Sequence, residues 1–439
     1  MNPTRTFFSV AAALFALALS SARAAVITSN DFNAFAAAVE SASAGEIFTF
    51  NLGSNSTIFF ERSILIPTTN LTFNGQEAVT FDGQDTTGMF HIPTTSSAGF
   101  SGFTFQHGSR FEGGAILVNG QVTVSDSLFF DNFASNTGGA ISANNTTGSI
   151  TVTNSTFLQN SVNNSGGAIT SSGKLNVFGS TFRENTANNA SGAINAASWG
   201  GEMRISSSLF VGNDVGNSSG ALDVAAQNFP IIIENSTFTQ NHADNSSGAI
   251  GISGPGQVFL RNSTVWQNTA SVGPGVSTGE AARVTIDSSL LARNGGSDLR
   301  TSFGDVVTVR NSLIGSNGGN GLVDGANGNL VGNGTNVRGY PITQLLFPLA
   351  DNGGLTDTMA LRVQGSNINP AVNAGSNPGG LLYDQRGAPY LRVSGGQTDI
   401  GAFERQIVVP EPSASTIALL GASVLLLAMR RRGRPRCGS

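Results

Sequence analysis

The side chains best placed for acid–base chemistry are Asp214, His242 and Asp244. Asp214 and His242 lie one 28-residue repeat apart, and Asp244 follows two positions later. A carboxylate near an imidazole is the minimum that proton transfer on a polysaccharide would need, and these three are the candidate catalytic residues; a solvated corner, where polar residues are freely tolerated, is the alternative. The other acids assemble less well. Asp223 has Asn195 and Gly251 as its equivalents in the flanking repeats, so no second carboxylate stacks on it. Glu234, Arg261, Asp287 and Arg310 occupy one position of four successive repeats and alternate in sign, which predicts exposed salt bridges between coils. His107 stands where other repeats have asparagine and is expected to substitute for it, His91 has no evident partner, and Asp82 and Asp85 flank a glycine turn. Trp199, in a variable turn beside Gly200 and Gly201, and Trp266, next to an inward Val265, are both expected to face outward as sugar-stacking candidates. No Walker loop, dinucleotide fingerprint, zinc spacing or nucleophile elbow occurs, so neither metal nor cofactor is expected.

The elements that must position these residues are repeats. A unit seen most plainly in Ile150-Thr151-Val152-Thr153-Asn154-Ser155-Thr156-Phe157-Leu158-Gln159-Asn160 closes on Asn132, Asn160, Asn185, Asn213, Asn241, Asn268, Asn294 and Asn317, at intervals of 28, 25, 28, 28, 27, 26 and 23 residues. Three residues before each asparagine stands an apolar side chain, from Phe129 to Ile314. Seven and five residues earlier still, all sixteen positions are apolar, and alternation of period two is a strand signal. A Gly-Ala pair recurs with its alanine eight residues after the asparagine, as in Gly139-Ala140, Gly167-Ala168 and Gly220-Ala221. Short strands, glycine corners and this period predict a parallel β-helix in which phenylalanines stack inside and asparagines form a ladder between coils. Blades of a propeller need longer repeats. Phe32, Phe35, Ala36 and Val39, at helical spacing behind Ser29-Asn30-Asp31, predict a helix that caps the first coil, within a cap segment spanning 25–45. Repeats are expected over 46–320, with a distinct region over 321–405 closing the solenoid.

Composition agrees with an extended all-β chain. Of 439 residues only 11% are charged and 56 are glycine, while 39% are hydrophobic, enough for a long core. Setting aside two arginines near the N-terminus, and five arginines and one glutamate in the tail, leaves 15 basic and 26 acidic residues, a net of −11. An acidic body argues against nucleic acid and anionic membranes as partners. Cys437 is the single cysteine, so stability cannot rest on disulfides.

Both ends carry targeting signals. Residues 1–24 read as a signal peptide, with Arg5, an apolar run from Phe7 to Leu19, and Ala22-Arg23-Ala24 before a cut between Ala24 and Ala25. Residues 406–439 contain Pro410-Glu411-Pro412, an uncharged stretch from Ala414 to Met429 and the cluster Arg430-Arg431-Arg432. This order resembles the PEP-CTERM sorting tail of Gram-negative bacteria, which implies processing by an exosortase-type protease and contact with the membrane only through that tail.

Two further resemblances concern the body. The paired Gly-Gly-Ala-Ile and Phe-x-x-Asn motifs are similar to repeats of chlamydial polymorphic outer membrane proteins, which implies a right-handed single-stranded parallel β-helix, a pectate-lyase-like solenoid. Pro348-Leu349-Ala350-Asp351-Asn352-Gly353-Gly354-Leu355-Thr356, Asp384-Gln385-Arg386-Gly387 and Asp399-Ile400-Gly401-Ala402-Phe403-Glu404 resemble the choice-of-anchor Q domain of bacterial surface proteins. The chain departs from that pattern at Asn373, where the family has an acid. The combined expectation is a protein of the cell envelope or extracellular matrix, structural or adhesive and associated with exopolysaccharide or other surface proteins. The alternative is a polysaccharide lyase or glycoside hydrolase on the same scaffold.

Overall fold

A computed structural model describes residues 23–53, 55–279, 281–363 and 368–406. The described residues form a nearly all-β parallel solenoid of about 11 turns with one α-helix. Each full coil has three sharp corners and three faces. In a representative coil, Ser149–Thr153 and Thr156–Leu158 form a double-strand face, Ser161–Val162 a short face, and Ile169–Ser171 a third face that carries the Gly-Ala signature. Left-handed residues make the corners: Asn154 (φ 48°) between the paired strands, Gln159 (φ 56°) before the ladder asparagine, and Gly166 (φ 74°) before the Gly-Ala pair. Every strand on the three faces pairs in parallel with its equivalent one coil away, as Ile150 does with Val122 and Leu175.

Inside, Phe105, Phe129, Phe157, Phe182, Phe210 and Phe238 stack at centroid separations of 4.6 to 4.8 Å with rings within 8° of parallel. That spacing equals the strand spacing, so one buried ring per coil fills the core without offset. The asparagine ladder runs beside it. From Asn160 on, each Asn Oδ1 accepts from the backbone N–H and side-chain amide of the preceding rung, as Asn185 does from Asn160 at 3.0 and 2.9 Å, while each amide also donates to the carbonyl of the inward apolar residue one coil back, a phenylalanine for Asn132 to Asn268 and Val265 for Asn294. A second ladder, of serines, was not anticipated: Ser127, Ser155, Ser180, Ser208, Ser236, Ser263 and Ser289 each accept an N–H from the coil before and donate to the carbonyl two residues back. Both rows are buried with their hydrogen bonds made, which is the condition for polar groups in a core.

The glycine of each Gly-Ala pair is required by contact, because a Cβ on Gly139, Gly167 or Gly192 would overlap the carbonyl oxygen of the glycine in the next coil. The bend itself belongs to the residue before it, which is Gly138 or Gly166 in some coils and Ser191 or Ser219 in others.

Four expectations need correction. The cap segment begins as a strand: Ala24–Ile27 pairs with Ile47–Phe50 before the helix Phe32–Glu40, whose N-cap Asp31 accepts from the Ala34 N–H at 2.7 Å. Asn317 is no ladder rung; its amide donates to the Leu322 carbonyl, and Asp298 closes the ladder by accepting both Asn294 bonds. His107 does not replace an asparagine, since Asn132 stacks on Gly108 and His107 takes the left-handed corner before it. A register shift between Ala134 and Thr137 moves the two signatures by one residue and hides this in the sequence. The region 321–405 does more than close the end: after Leu330–Val331 extends the double-strand face, the chain folds back and lies on that face, bonding to Asn235, Thr237, Asn262 and Ser288.

Candidate functional site

The repeat places Asp214 and His242 on adjacent coils as direct strand partners, at the start of the short face. His242 Nε2 lies 3.2 Å from Asp244 Oδ1, and its Nδ1 lies 2.8 Å from Thr269 Oγ1. No hydrogen bond or ion pair joins the Asp214 carboxylate to the imidazole. The His242 and Asp244 side chains are 47% and 69% exposed, on an outer corner and in none of the pockets described below. Such a pair can exchange protons with solvent, but nothing there encloses a substrate.

The two tryptophans part company. Trp199 is 48% exposed and remains available for stacking. Trp266 turns away from the coil interior as expected, yet it is 2% exposed, because Leu346, Met359 and their neighbours in the returning C-terminal region form a second core over it. It is therefore not a surface platform for sugar.

The same cover changes the alternating charge row. Glu234 and Asp287 are buried. Glu234 pairs with Arg204 rather than Arg261, and Arg261 lies over the Phe259 ring at 4.2 Å. Arg310 Nε does bond Asp287, at 2.8 Å, and Ser376 of the returning region adds a hydroxyl to that carboxylate at 2.8 Å. The row was read correctly in register and incorrectly in exposure, since its cover comes from about 90 to 150 residues downstream.

The returning region is held by a buried ionic network built from the Asp-Gln-Arg-Gly and Asp-Ile-Gly-Ala-Phe-Glu stretches. Arg386 bonds Asp384 at 2.6 Å and is sandwiched by Tyr390 and Phe403, each ring centroid 3.9 Å away. Arg392, fully buried, bonds Glu404 at 3.1 Å and reaches Asn235 of the solenoid at 3.3 Å. Burial pushes the Glu404 carboxyl up to about 7 against the pull of Arg392. Asn373 is in the left-handed conformation and gives its N–H to Asp399 at 2.7 Å. These contacts are architectural.

Two histidines have partners that the sequence did not reveal. His107 Nδ1 lies 3.2 Å from Asp82, which also accepts from Gln106 and the Gln84 N–H, and His91 Nε2 lies 3.1 Å from the Asn119 amide. Asp298, unmarked by any motif, has its carboxyl pushed up to about 7 by burial, against the hydrogen bonds from Asn294 and Ser316.

Asp223 reads in the sequence as an acid with no second carboxylate stacked on it. Its strand neighbours are Asn195 and Gly251, as expected. What the sequence did not show is the pocket of about 240 Å³ around it, on the Gly-Ala face, lined by serines, Thr278 and Arg300. A different pocket, about 390 Å³, opens between the double-strand face and the returning region at Phe178, Arg204 and Leu382. Among the described residues no cluster of three histidine, cysteine or acidic side chains fit to hold a metal occurs, and no helix is long and apolar enough to cross a membrane. Pro410, Glu411, Pro412 and Arg430, Arg431 and Arg432 lie outside the described residues; Ala24 and Ala25, the expected signal cleavage point, lie in the first strand. No family model matches the chain, and no curated protein matches it.

Proposed function

We propose that this chain is an exported protein of the cell surface or extracellular matrix, whose solenoid serves as a stiff rod for adhesion and association with exopolysaccharide. The observation that carries this reading is the unbroken alignment of phenylalanine, asparagine and serine rows through successive coils, which makes a long regular body with few charges. Backbone pairing along the solenoid runs from each coil to its neighbours, so length can be extended without redesigning a core, as suits a spacer that carries binding surfaces along its flank. The exposed, unenclosed setting of Asp214, His242 and Asp244 favours binding over cleavage. The targeting signals at the two ends support export, with an exosortase-type protease as processing partner. The test is incubation of purified residues 25–409 with acidic and neutral polysaccharides, scoring new chain ends and retention together. Retention without new ends is expected; new chain ends would replace this reading with that of a lyase or hydrolase, and absence of retention would remove the polysaccharide from it.

A further inference from the structure

The pocket at Asp223 contains two charged side chains, Asp223 and Arg300, that bond no described residue. Asp223 makes no hydrogen bond and no ion pair with any described residue, and neither does the guanidinium of Arg300. They lie on one row of the face, since Asp223 pairs with Gly251, Gly251 with Ser277, and Ser277 with Arg300. Three coil steps separate them, about 14 Å along the solenoid axis. Between them the row is kept low: Gly251 has no side chain, and a Cβ there would crowd Asp223 Oδ1 at 3.3 Å. Ser219 and Ser247, held in the left-handed conformation (φ 72° and 60°), line the pocket, and neither hydroxyl bonds another described residue. Arg300 folds back over Gly273, where its Cδ lies 3.0 Å from the position a Cβ would take.

A half-buried carboxylate without a donor is a cost to folding, and burial alone pushes its carboxyl up to about 6. The ladder asparagines and serines of this solenoid are satisfied by bonds between coils, so a carboxylate left open in a pocket is where an external donor fits. The pocket wall offers hydroxyls and backbone rather than aromatic rings, and its lining spans four successive coils, at Asp223, Gly251, Ser277 and Arg300. We propose that this groove is a subsite for a neutral oligosaccharide segment lying along the solenoid axis, with Asp223 accepting from adjacent sugar hydroxyls, Arg300 donating to the far end, and Ser219 and Ser247 bonding between them. The inference rests on the polysaccharide-binding reading above and assigns it a place. Among the described residues that line the groove Asp223 is the one carboxylate, a setting that suits holding a chain, since hydrolysis uses a second acid and lyase chemistry a base beside the first.

The experiment uses full-length chain on a sensor surface, with linear oligomers of glucose, mannose and galactose as neutral probes and oligogalacturonate as the acidic one. Wild type is expected to bind at least one neutral oligomer more tightly than oligogalacturonate, and Asp223→Ala, the isosteric Asp223→Asn and Arg300→Ala each to weaken it by about tenfold. Thermal unfolding of each variant separates lost binding from lost fold. Neutral oligomers that bind wild type and all three variants equally would overturn the subsite while leaving the polysaccharide reading in place. Stronger binding of oligogalacturonate would overturn the assignment of a neutral ligand, and no binding of any oligomer by wild type would defeat the inference together with the reading on which it rests.

Discussion

The solenoid body and the C-terminal region bury polar groups in opposite ways. In the body, the same few groups recur in every coil, so each Asn or Ser finds its partner in the copy above, and neutral amides and hydroxyls suffice. In residues 330–405 nothing repeats: the region is braced internally by charges used once, above all Arg392 with Glu404 and Arg386 with Asp384, and is tied to the solenoid by single hydrogen bonds such as Arg392 to Asn235 and Thr237 to Gln385. A ladder spreads its stability evenly, and damage to one rung is felt by its neighbours. An ionic lock concentrates it, because a buried charge whose partner is removed stays buried and unpaired.

The sharpest way to break the comparison is at the lock. Arg392→Ala strands Glu404 and removes the donor to Asn235, the Gly401, Ala402 and Asp399 carbonyls. A loss of about 4 kcal/mol is expected, confined to the docking of this region. With Trp199→Phe as background, Trp266 is the sole tryptophan and lies under the docked region, so its emission should shift to the red at lower urea while the far-ultraviolet β signal persists. Simultaneous loss of both signals would mean that body and region unfold as one unit.

The ladder answers next. Asn213→Ala leaves the Asn185 backbone N–H and amide without their acceptor and the Phe182 carbonyl without its donor. About 3 kcal/mol is the expected cost, with amide exchange rising in the coils on either side and unchanged protection around Arg392. Equal loss of protection at both ends of the molecule would contradict the nearest-neighbour picture.

Much of this contrast was readable in the residue order. Phe129 to Phe238 and Asn132 to Asn294 recur at fixed offsets, and a fixed offset in a solenoid becomes a fixed place in space, so their rows could be drawn before any coordinates. The burial of Trp266 and Glu234 could not, because the chain that covers them is aperiodic and carries no register mark. Asp298 was hidden for a related reason: it ends the ladder four residues after Asn294, inside the same coil, and the short interval of 23 residues to Asn317 was the only sign that the pattern had stopped. The His107 register failed at a bulge, which shifts one signature against the other by a single residue. Asp223 was found and placed correctly, but its interest lies in the contacts it lacks, and those are a property of the surrounding surface.

A third, smaller effect concerns Asp223. Its carboxyl is moved from 3.8 to about 6 by burial, so the folded state holds the proton more tightly than the unfolded chain. The sign follows: the charged form opposes folding, the penalty is absent below about pH 4, grows as pH rises toward 6 and is complete above it. Asp223→Asn should therefore raise stability by about 1 kcal/mol at pH 7.5, allowing for partial access to water, and change it little at pH 4. A stability cost at pH 7.5 would show that the carboxylate has a protein partner after all. A gain in stability coupled to the loss of oligosaccharide binding would mark a group kept for its ligand.

The smallest expected effect separates Asp223 from the acid and base on the outer corner. Asp214 and His242 are strand partners with exposed side chains, and among the described residues the ionic contact of the imidazole is to Asp244, itself open to solvent. Removing both, in Asp214→Ala with His242→Ala, should change stability by under about 0.5 kcal/mol, since exposed pairs contribute little and short-face packing rests on Val215 and Ala243 beneath them. The same double variant should retain polysaccharide as well as wild type. Were it instead to lose retention while Asp223→Ala kept it, the binding surface would have to be moved from the Gly-Ala face to the short face, and the groove at Asp223 would be left as a solvated gap between coils.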